Sequence, residues 1–128
     1  MRVLLDTHVF LWAISEPDRL SSRAKEIIKG ERSEVLLSLA SVWEIAVKSS
    51  LGKLDLPRPA VPFVQRQLGS HRIGILPLRL SHLFVLENLP WHHKDPFDRI
   101  LVAQCLDEGA SLVTVDTQLR RYDVEILS

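Results

Sequence analysis

Four carboxylates occupy positions at which a sheet of parallel strands would bring them together. Asp6 and Asp116 each end an apolar segment that is typical of a buried strand, and a threonine follows each of them. Glu44 and Asp98 lie in segments that we interpret as the first turns of two helices. The carboxyl ends of parallel strands and the amino ends of the following helices share one edge of an α/β sheet, where ligands bind. We therefore expect these acids to converge, although they are far apart in the sequence.

A cluster of acids without matching lysine or arginine residues repels itself. At about 5 Å and an effective dielectric constant of about 20, each pair of like charges costs about 3 kcal/mol, whereas a whole domain is stable by only about 5–15 kcal/mol. Such a cluster therefore implies either raised pKa values or a bound hard cation. Carboxylate ligands without imidazole or thiolate favour Mg²⁺ or Mn²⁺. One or two such ions can activate water and stabilise the displacement at a phosphodiester.

Each acid also has a purely structural alternative. Asp6 and Asp116 could cap the helices that follow them, and Glu44 could serve only in a helix capping box. Asp98 follows Asp95 within one helical turn, so the two could share an N-terminal capping arrangement that favours the helix dipole. Asp95 precedes a proline, and the role of N-cap explains it completely. The joint pattern favours a metal site over a set of unrelated caps.

The segments between these acids predict strands that alternate with helices. Apolar β-type segments predict strands over residues 2–6, 34–38, 73–77, 111–115 and 124–127. Apolar positions at helical spacing, with capping residues and breakers, predict helices over residues 7–14, 20–29, 41–51, 63–68, 81–88 and 96–108. We expect residues 55–62, with their three prolines, to form an ordered linker. The alternation implies an α/β fold with a central parallel sheet of about four to five strands and helices on both faces.

Length and charge restrict the function classes. A chain of 128 residues is long enough for a real core, and we expect residues 1–128 to form a single domain. The formal net charge of +0 argues against non-specific coating of DNA or RNA, but not against an enzyme that holds nucleic acid locally. Cys105 is the only cysteine, so it cannot form an internal disulfide or a cysteine-based zinc site.

The sequence also predicts a compartment. The first residues continue directly into a strand-like segment without a cleavable small-residue site. No apolar run approaches the roughly 20 residues that a bilayer requires. We therefore expect a cytoplasmic protein without membrane association.

Segments spread along the chain resemble a known family. They are residues 3–8 (Val-Leu-Leu-Asp-Thr-His), 41–45 (Ser-Val-Trp-Glu-Ile), 93–99 (His-Lys-Asp-Pro-Phe-Asp-Arg), 101–104 (Leu-Val-Ala-Gln) and 112–116 (Leu-Val-Thr-Val-Asp). In this order and spacing they resemble the PIN-domain ribonucleases, and in particular the VapC-type toxins of type II toxin–antitoxin modules. The resemblance covers nearly the whole chain, and the combination is much more specific than any one segment.

The resemblance implies a PIN fold and a magnesium-dependent endoribonuclease that hydrolyses RNA phosphodiester bonds. Asp6, Glu44 and Asp98 match the core acids of the family, and Asp116 matches the fourth. The implied ligands of Mg²⁺, for which Mn²⁺ could substitute, are Asp6, Asp98 and Asp116. Glu44 would complete the cluster and could orient the attacking water. No protein nucleophile is required in this chemistry.

Further residues match positions around the family's metal site. Thr7 and Thr114 match small hydroxyl residues near the metal. Asp95 matches an additional acid of the subgroup with the Asp-Pro-Phe-Asp-Arg sequence, where it could support the metal site beside its capping role. His8 departs from the family, which often has asparagine there. Its imidazole could orient a water molecule or contact the scissile phosphate, or it could hydrogen-bond the backbone at a helix start.

Cations beside the acids are candidate contacts to the RNA backbone. Lys48, Lys94 and Arg99 are the residues that could reach its phosphates. Lys48 follows Glu44 by one helical turn, so an ion pair within the helix is its alternative. His92 and His93 resemble a zinc pair only superficially, because adjacent residues seldom chelate one ion alone.

The resemblance also implies protein partners. Toxins of this type form homodimers and are silenced by a small cognate antitoxin whose C-terminal segment enters the acidic groove. Apolar positions on predicted helices could serve such contacts, or they could be ordinary core faces. These positions are Trp43, Val47, Leu51, Phe63 and Leu68.

Two other functions remain open at this point. A catalytically silent PIN-like module could bind RNA or a protein without turnover, although the complete set of acids argues against it. A receiver-type domain could use Asp6 as a phosphate acceptor, but it would want a second aspartate two positions later, where His8 stands.

Overall fold

A single parallel sheet organises the chain, and its central strand ends directly before the first of the predicted acids. The computed structural model describes all residues, 1–128. The strands are β1 (Arg2–Leu5), β2 (Glu34–Ser38), β3 (Gly74–Leu76), β4 (Ser111–Val113) and β5 (Ile126–Leu127). Their order is β3-β2-β1-β4-β5, and all four pairings are parallel. The predicted parallel sheet of four to five strands is therefore confirmed.

Six helices connect the strands. They are α1 (Thr7–Ser15), α2 (Ser22–Lys29), α3 (Leu39–Ser50), α4 (Ala60–Ser70), α5 (Leu80–Glu87) and α6 (Pro96–Glu108). Two short 3₁₀ helices cover Pro17–Arg19 and Thr117–Arg121. No helix is both long and apolar enough to cross a membrane.

The sheet separates two apolar cores, because successive strand side chains point to opposite faces. Val3 and Leu5 of β1 pack in one core with residues of α1, α2, α3 and α4. Leu4, between them, packs in the other core with residues of α6 and the end of the chain. Helices therefore cover both faces, as predicted. Strands β1, β2 and β4 are buried along nearly their whole length, whereas the edge strand β3 exposes Gly74 and Ile75. This burial fixes the register that aligns the ends of β1 and β4.

The start of α3 differs from the prediction. Ser38 caps this helix by accepting a hydrogen bond from the Ala40 amide at 3.0 Å. The predicted cap, Ser41, lies inside the helix with its hydroxyl 2.9 Å from that of Thr7. Glu44 consequently lies in the second turn rather than the first, and a capping box between Ser41 and Glu44 is wrong. Both serines suit a cap locally, and the tertiary contact of Ser41 decides between them.

Other boundaries move by a few residues. Helix α4 begins within the predicted linker, and Pro62 fits its first turn because amides there need no helical partner. The three later strands are shorter than predicted, since β3, β4 and β5 each pair over only two or three residues. The predicted stops at Gly30 and Gly109 are confirmed, with φ values of 71° and 65° that favour glycine. The N-cap role of Asp95 is also confirmed.

Candidate metal centre

The adjacent strands β1 and β4 deliver two acids to one edge of the sheet. Asp6 follows β1 and is 4% exposed. Its Oδ1 accepts a hydrogen bond from the Val9 amide at 2.7 Å and so caps α1. Its Oδ2 accepts a hydrogen bond from the Thr114 hydroxyl, which lies just beyond β4. Asp6 thus caps a helix and faces the second strand at the same time.

Thr114 also connects Asp6 with Asp116. The Asp116 amide donates to Thr114 Oγ1 at 3.1 Å, while Asp116 Oδ1 accepts from the Gln118 amide at 2.9 Å and caps the final 3₁₀ helix. The Asp116 side chain is 35% exposed, so it lies at the rim of the site.

Glu44 approaches from α3 and is 4% exposed. Its Oε1 accepts from the Thr7 hydroxyl at 2.8 Å, and its Oε2 accepts from Lys48 Nζ at 2.6 Å. This hydrogen bond to Glu44 raises the pKa of Lys48. The predicted ion pair of Lys48 is therefore present. The structure adds that Thr7 joins the first turn of α1 to Glu44.

Asp98 lies in the first turn of α6, as predicted, and its carboxylate is strongly destabilised. Burial and the charges of Asp95 and Asp6 raise the pKa of Asp98 to about 7, and His93 opposes this effect. Burial also raises the pKa of Asp6, although its hydrogen bonds from Thr114 and Val9 oppose the rise. Burial is the largest cause of both shifts, and the like charges of neighbouring acids add to it.

His93 completes the cluster, and the sequence interpretation missed it. Its Nε2 lies 3.0 Å from Asp116 Oδ2 and 3.6 Å from Asp98 Oδ2. One ligand atom from each of these three side chains lies within 4.8 Å of the others. The available signal was its place at the start of the segment that contains Asp95 and Asp98. The neighbouring His92 instead packs edge-on against the Tyr122 ring.

These donors suit a hard divalent cation. The oxygens of Asp98 and Asp116 are close enough to share one ion, and Asp6 influences the pKa of Asp98 through its charge. Asp6 lies outside the tightest group, but Thr114 connects it to Asp116. Cys105, the only thiol, is buried in α6, where its pKa rises to about 12. Carboxylate oxygens without thiolate favour Mg²⁺ or Mn²⁺.

The remaining predicted residues have diverse positions. His8 is exposed and lies near the Trp12 ring, with the ring centroids 6.4 Å apart. A positive charge on His8 would oppose the rise in the pKa of Asp6 that burial causes. Lys94 is exposed beside the cluster. Asp95 Oδ1 accepts hydrogen bonds from the backbone amides of Phe97 and Asp98, as expected of an N-cap residue.

Arg99 has a structural position rather than the expected contact with RNA. It is 5% exposed and donates a hydrogen bond to the Leu89 carbonyl at 3.1 Å. Its guanidinium lies 3.6 Å from the centroid of the Trp91 ring. Both contacts hold the loop that leads to α6, and Trp91 covers the arginine. We therefore no longer include Arg99 among the cations available to a substrate.

The acids of this edge differ in their exposure. Asp6 and Glu44 are each 4% exposed, whereas the side chains of Asp98 and Asp116 are 24% and 35% exposed. A substrate would therefore approach the cluster from the side of Asp98 and Asp116.

Comparisons with known proteins agree with this fold and site. Residues 3–125 match the PIN domain family. The chain is 33% identical to Ribonuclease VapC22 of Mycobacterium tuberculosis over 123 residues, which cover 94% of this chain and 91% of that protein. It is 38% identical over 61 residues to Ribonuclease VapC16 of the same organism, covering 48% of this chain and 42% of that protein. The chain belongs to the PIN domain family, and its resemblance to VapC-type ribonucleases is confirmed.

Solved structures share the fold. VapBC2 from Rickettsia felis, bound to a DNA fragment from its promoter, has a TM-score of 0.75 at 14% identity and covers 99% of this chain and 98% of that chain. VapBC-1 from nontypeable Haemophilus influenzae has a TM-score of 0.70 at 15% identity and covers 100% and 98% of the two chains. At these identities the likeness supports the fold alone.

Proposed function

We propose that residues 1–128 act as one PIN domain and as a metal-dependent endoribonuclease that hydrolyses phosphodiester bonds in RNA. Mg²⁺ is the proposed ion, with Mn²⁺ as a substitute. The observation that carries the proposal is the convergence of Asp6, Glu44, Asp98 and Asp116 on one edge of the sheet, where Asp98 has a pKa of about 7. The similarity to a protein named Ribonuclease VapC22 supports the choice of RNA.

The acids would have different roles in metal binding and catalysis, according to their positions. Asp98 and Asp116, with Asp6 beside them, would hold the ion. When bound, a hard divalent cation activates water and offsets the negative charge of the phosphate. Asp98 would be ionised in the loaded site, because a nearby positive charge lowers the pKa of a carboxyl group. Thr114 would keep Asp6 oriented through the hydrogen bond that it already donates.

Glu44 would orient the attacking water. Thr7 and Lys48 fix the positions of its two oxygens, and each carboxylate oxygen keeps a second lone pair that can accept a hydrogen bond. Lys94 is exposed and Lys48 is half-buried, so both remain candidate contacts to RNA phosphates. Such contacts would position the strand without reading its sequence.

The direct test is cleavage of a mixed-sequence single-stranded RNA by the purified protein. We expect activity with Mg²⁺, loss of activity with EDTA, and recovery when Mg²⁺ is added in excess. Asp98→Asn should reduce the rate at least about 100-fold, because it removes a charge from the ion's ligands. Asp18→Asn is the matched control, since the Asp18 carboxylate is fully exposed and pairs with Lys25 rather than with the acidic cluster.

Undiminished cleavage by Asp98→Asn would refute the assignment of the site. RNA binding without any cleavage, in wild type with Mg²⁺ or Mn²⁺, would instead identify the silent RNA-binding module. Equal loss of activity in Asp18→Asn would mean that the reduction is not specific to the acidic edge.

We extend the proposal to the partners. The structural relatives include proteins described as toxin–antitoxin complexes, for example one from Klebsiella pneumoniae. By analogy we propose that this chain is a toxin that binds a cognate antitoxin and forms a homodimer. We keep the cytoplasm as the expected compartment.

A further inference from the structure

His93 lies on the loop before α6 and reaches across the sheet edge to the rim of the acidic cluster. Its side chain is 14% exposed, compared with 24% for Asp98 and 35% for Asp116. The Nε2 atom is 3.0 Å from Asp116 Oδ2, which is hydrogen-bond distance, and 3.6 Å from Asp98 Oδ2. The imidazole therefore lies within 3.6 Å of one carboxylate oxygen of Asp116 and one of Asp98, the two acids that are close enough to share an ion.

The hydrogen bond at the other ring nitrogen, Nδ1, determines which nitrogen of the neutral imidazole carries the hydrogen. The backbone amide of Asp95 donates to His93 Nδ1 at 3.0 Å. An amide can only donate, so Nδ1 is the acceptor and the ring hydrogen of the neutral imidazole is on Nε2. That hydrogen points to Asp116. While both hydrogen bonds hold, Nε2 has no lone pair for a metal, so His93 is not a ligand.

The surrounding contacts fix the position of the ring. The His93 amide donates to the Tyr122 hydroxyl at 3.1 Å, which ties the loop to the end of the chain. Arg99 holds the start of the same loop through the Leu89 carbonyl. Asp95, the donor to Nδ1, is itself fixed as the N-cap of α6. The imidazole is thus anchored from the loop and from α6, independently of Asp116.

Asp116 needs such a contact more than the other acids. Gln118 holds its Oδ1, but the side chain is the most exposed of the four acids and only His93 holds its Oδ2. We propose that His93 is a positioning residue of the metal site, whose Nε2–H holds the Asp116 carboxylate beside Asp98. This inference rests on the proposed function, because it assigns a role at the same metal site. Hydrogen-bond partners of metal ligands typically change affinity by about 10–100-fold when removed.

The test measures Mn²⁺ binding by calorimetry on the purified full-length protein, without RNA. His93→Ala should weaken Mn²⁺ binding about 10-fold. His93→Gln should stay within about 3-fold of wild type, because its side-chain amide can still donate to Asp116. His92→Ala is the matched control from the same loop and should bind Mn²⁺ like wild type, since His92 contacts Tyr122 rather than an acid.

A spectroscopic measurement separates positioning from direct ligation. In pulsed electron paramagnetic resonance of the Mn²⁺-loaded wild type, we expect no nitrogen coupling of the strength that a coordinated imidazole gives. Such a coupling, lost in both His93 variants, would make His93 a ligand and overturn the inference. Equal Mn²⁺ affinity of His93→Ala and wild type would also overturn it.

The proposed function can fail separately. If the wild type neither binds Mn²⁺ nor cleaves RNA, the ribonuclease proposal is defeated and this inference falls with it. If the wild type does both and His93→Ala binds Mn²⁺ equally well, only the role of His93 is refuted. Thermal unfolding of each variant shows whether a lost affinity reflects a lost fold.

Discussion

At the scale of single residues, structural and chemical roles coincide in the same carboxylates. Asp6 Oδ1 caps α1, while its Oδ2 accepts a hydrogen bond from the Thr114 hydroxyl. Asp116 Oδ1 caps the last 3₁₀ helix, while its Oδ2 is hydrogen-bonded to His93 Nε2. The two roles are compatible because helices begin at the same edge where the strands end. A capping explanation therefore does not argue against a metal site here.

Asp98 differs from these residues, because the fold disfavours the charged form of its carboxyl group. Its folded pKa of about 7 lies above the ordinary value of 3.8. A raised pKa means that the folded state binds the proton more tightly than the unfolded state. The associated stability is full below the unfolded pKa and is lost as the pH rises through the folded pKa. The metal-free protein should therefore lose stability between about pH 4 and pH 8.

We predict that Asp98→Asn stabilises the metal-free protein at pH 8. Asparagine cannot ionise, so the variant should gain about 1–3 kcal/mol in the free energy of unfolding, and the gain should shrink towards pH 5. Urea unfolding in EDTA measures both values. Adding Mg²⁺ should stabilise wild type and leave the variant nearly unchanged. A variant less stable than wild type at pH 8 would contradict the unfavourable charge.

At the scale of elements, the edge opposite the acids holds a compact charged network. Glu108 at the end of α6 accepts from Arg2 of β1 at 3.2 Å and from the fully buried His82 of α5 at 2.7 Å. The His82 hydrogen bond, followed by that from Arg2, lowers the pKa of Glu108. A lowered pKa contributes stability above the unfolded pKa, and that stability is lost as the pH falls through the folded pKa.

Glu108→Gln should therefore destabilise the fold at pH 7 by about 1 kcal/mol, with a smaller effect near pH 3.5. Glu34→Gln is the matched control, because Glu34 also pairs with Arg2 but its side chain is 59% exposed. An exposed pair contributes little, so this control should change the free energy of unfolding by less than about 0.5 kcal/mol. Equal effects of the two variants in denaturant unfolding would refute the role of the buried histidine.

The elements also show what the sequence could predict. The convergence of Asp6 and Asp116 was recoverable because β1 and β4 are short and apolar, and an acid follows each of them within three residues. The start of α3 could not be predicted from the sequence. Ser38 and Ser41 are both good N-cap residues, and only the contact of Ser41 with Thr7 distinguishes them.

The role of His93 was equally inaccessible from the sequence. Its partner Asp116 lies 23 residues further along the chain, and the contact depends on how the loop packs against Tyr122. Burial of Arg99 was missed for a similar reason, since a lone arginine beside an acidic motif gives no sign of its carbonyl and tryptophan partners. Local patterns predicted which acids converge, whereas loop packing decided which neighbours join them.

At the scale of the whole molecule, one helix presents an apolar row to the surface. The row lies on α3 at a spacing of four residues, which places its members on one face. Its members are Leu39, Trp43, Val47 and Leu51, with exposed fractions of 46%, 61%, 38% and 62%. Leu68, expected beside such a surface, is instead buried in the core. Exposed apolar residues on one face are typical of a contact with another protein, so this row is the candidate surface for the proposed partners.

We predict that Leu51→Glu weakens a protein contact of this row without loss of ribonuclease activity. Leu51 is the C-cap residue of α3 and lies about two turns beyond Glu44, so the acidic edge should be unaffected. Light scattering of the protein alone measures the proposed dimer, and calorimetry with the proposed cognate antitoxin measures that binding. Lys53→Glu is the control for added charge on the exposed segment that follows. Unchanged assembly and binding would show that the row is not an interface.

The partial exposure of Asp98 and Asp116 has a consequence for the shape of the substrate. A site that enclosed the end of a chain would require a free terminus. Acids that are reached from the surface have no such requirement, because a strand can lie across them with both ends remote. Under the proposed activity, a covalently closed RNA circle should therefore be cut as well as a linear molecule of the same sequence.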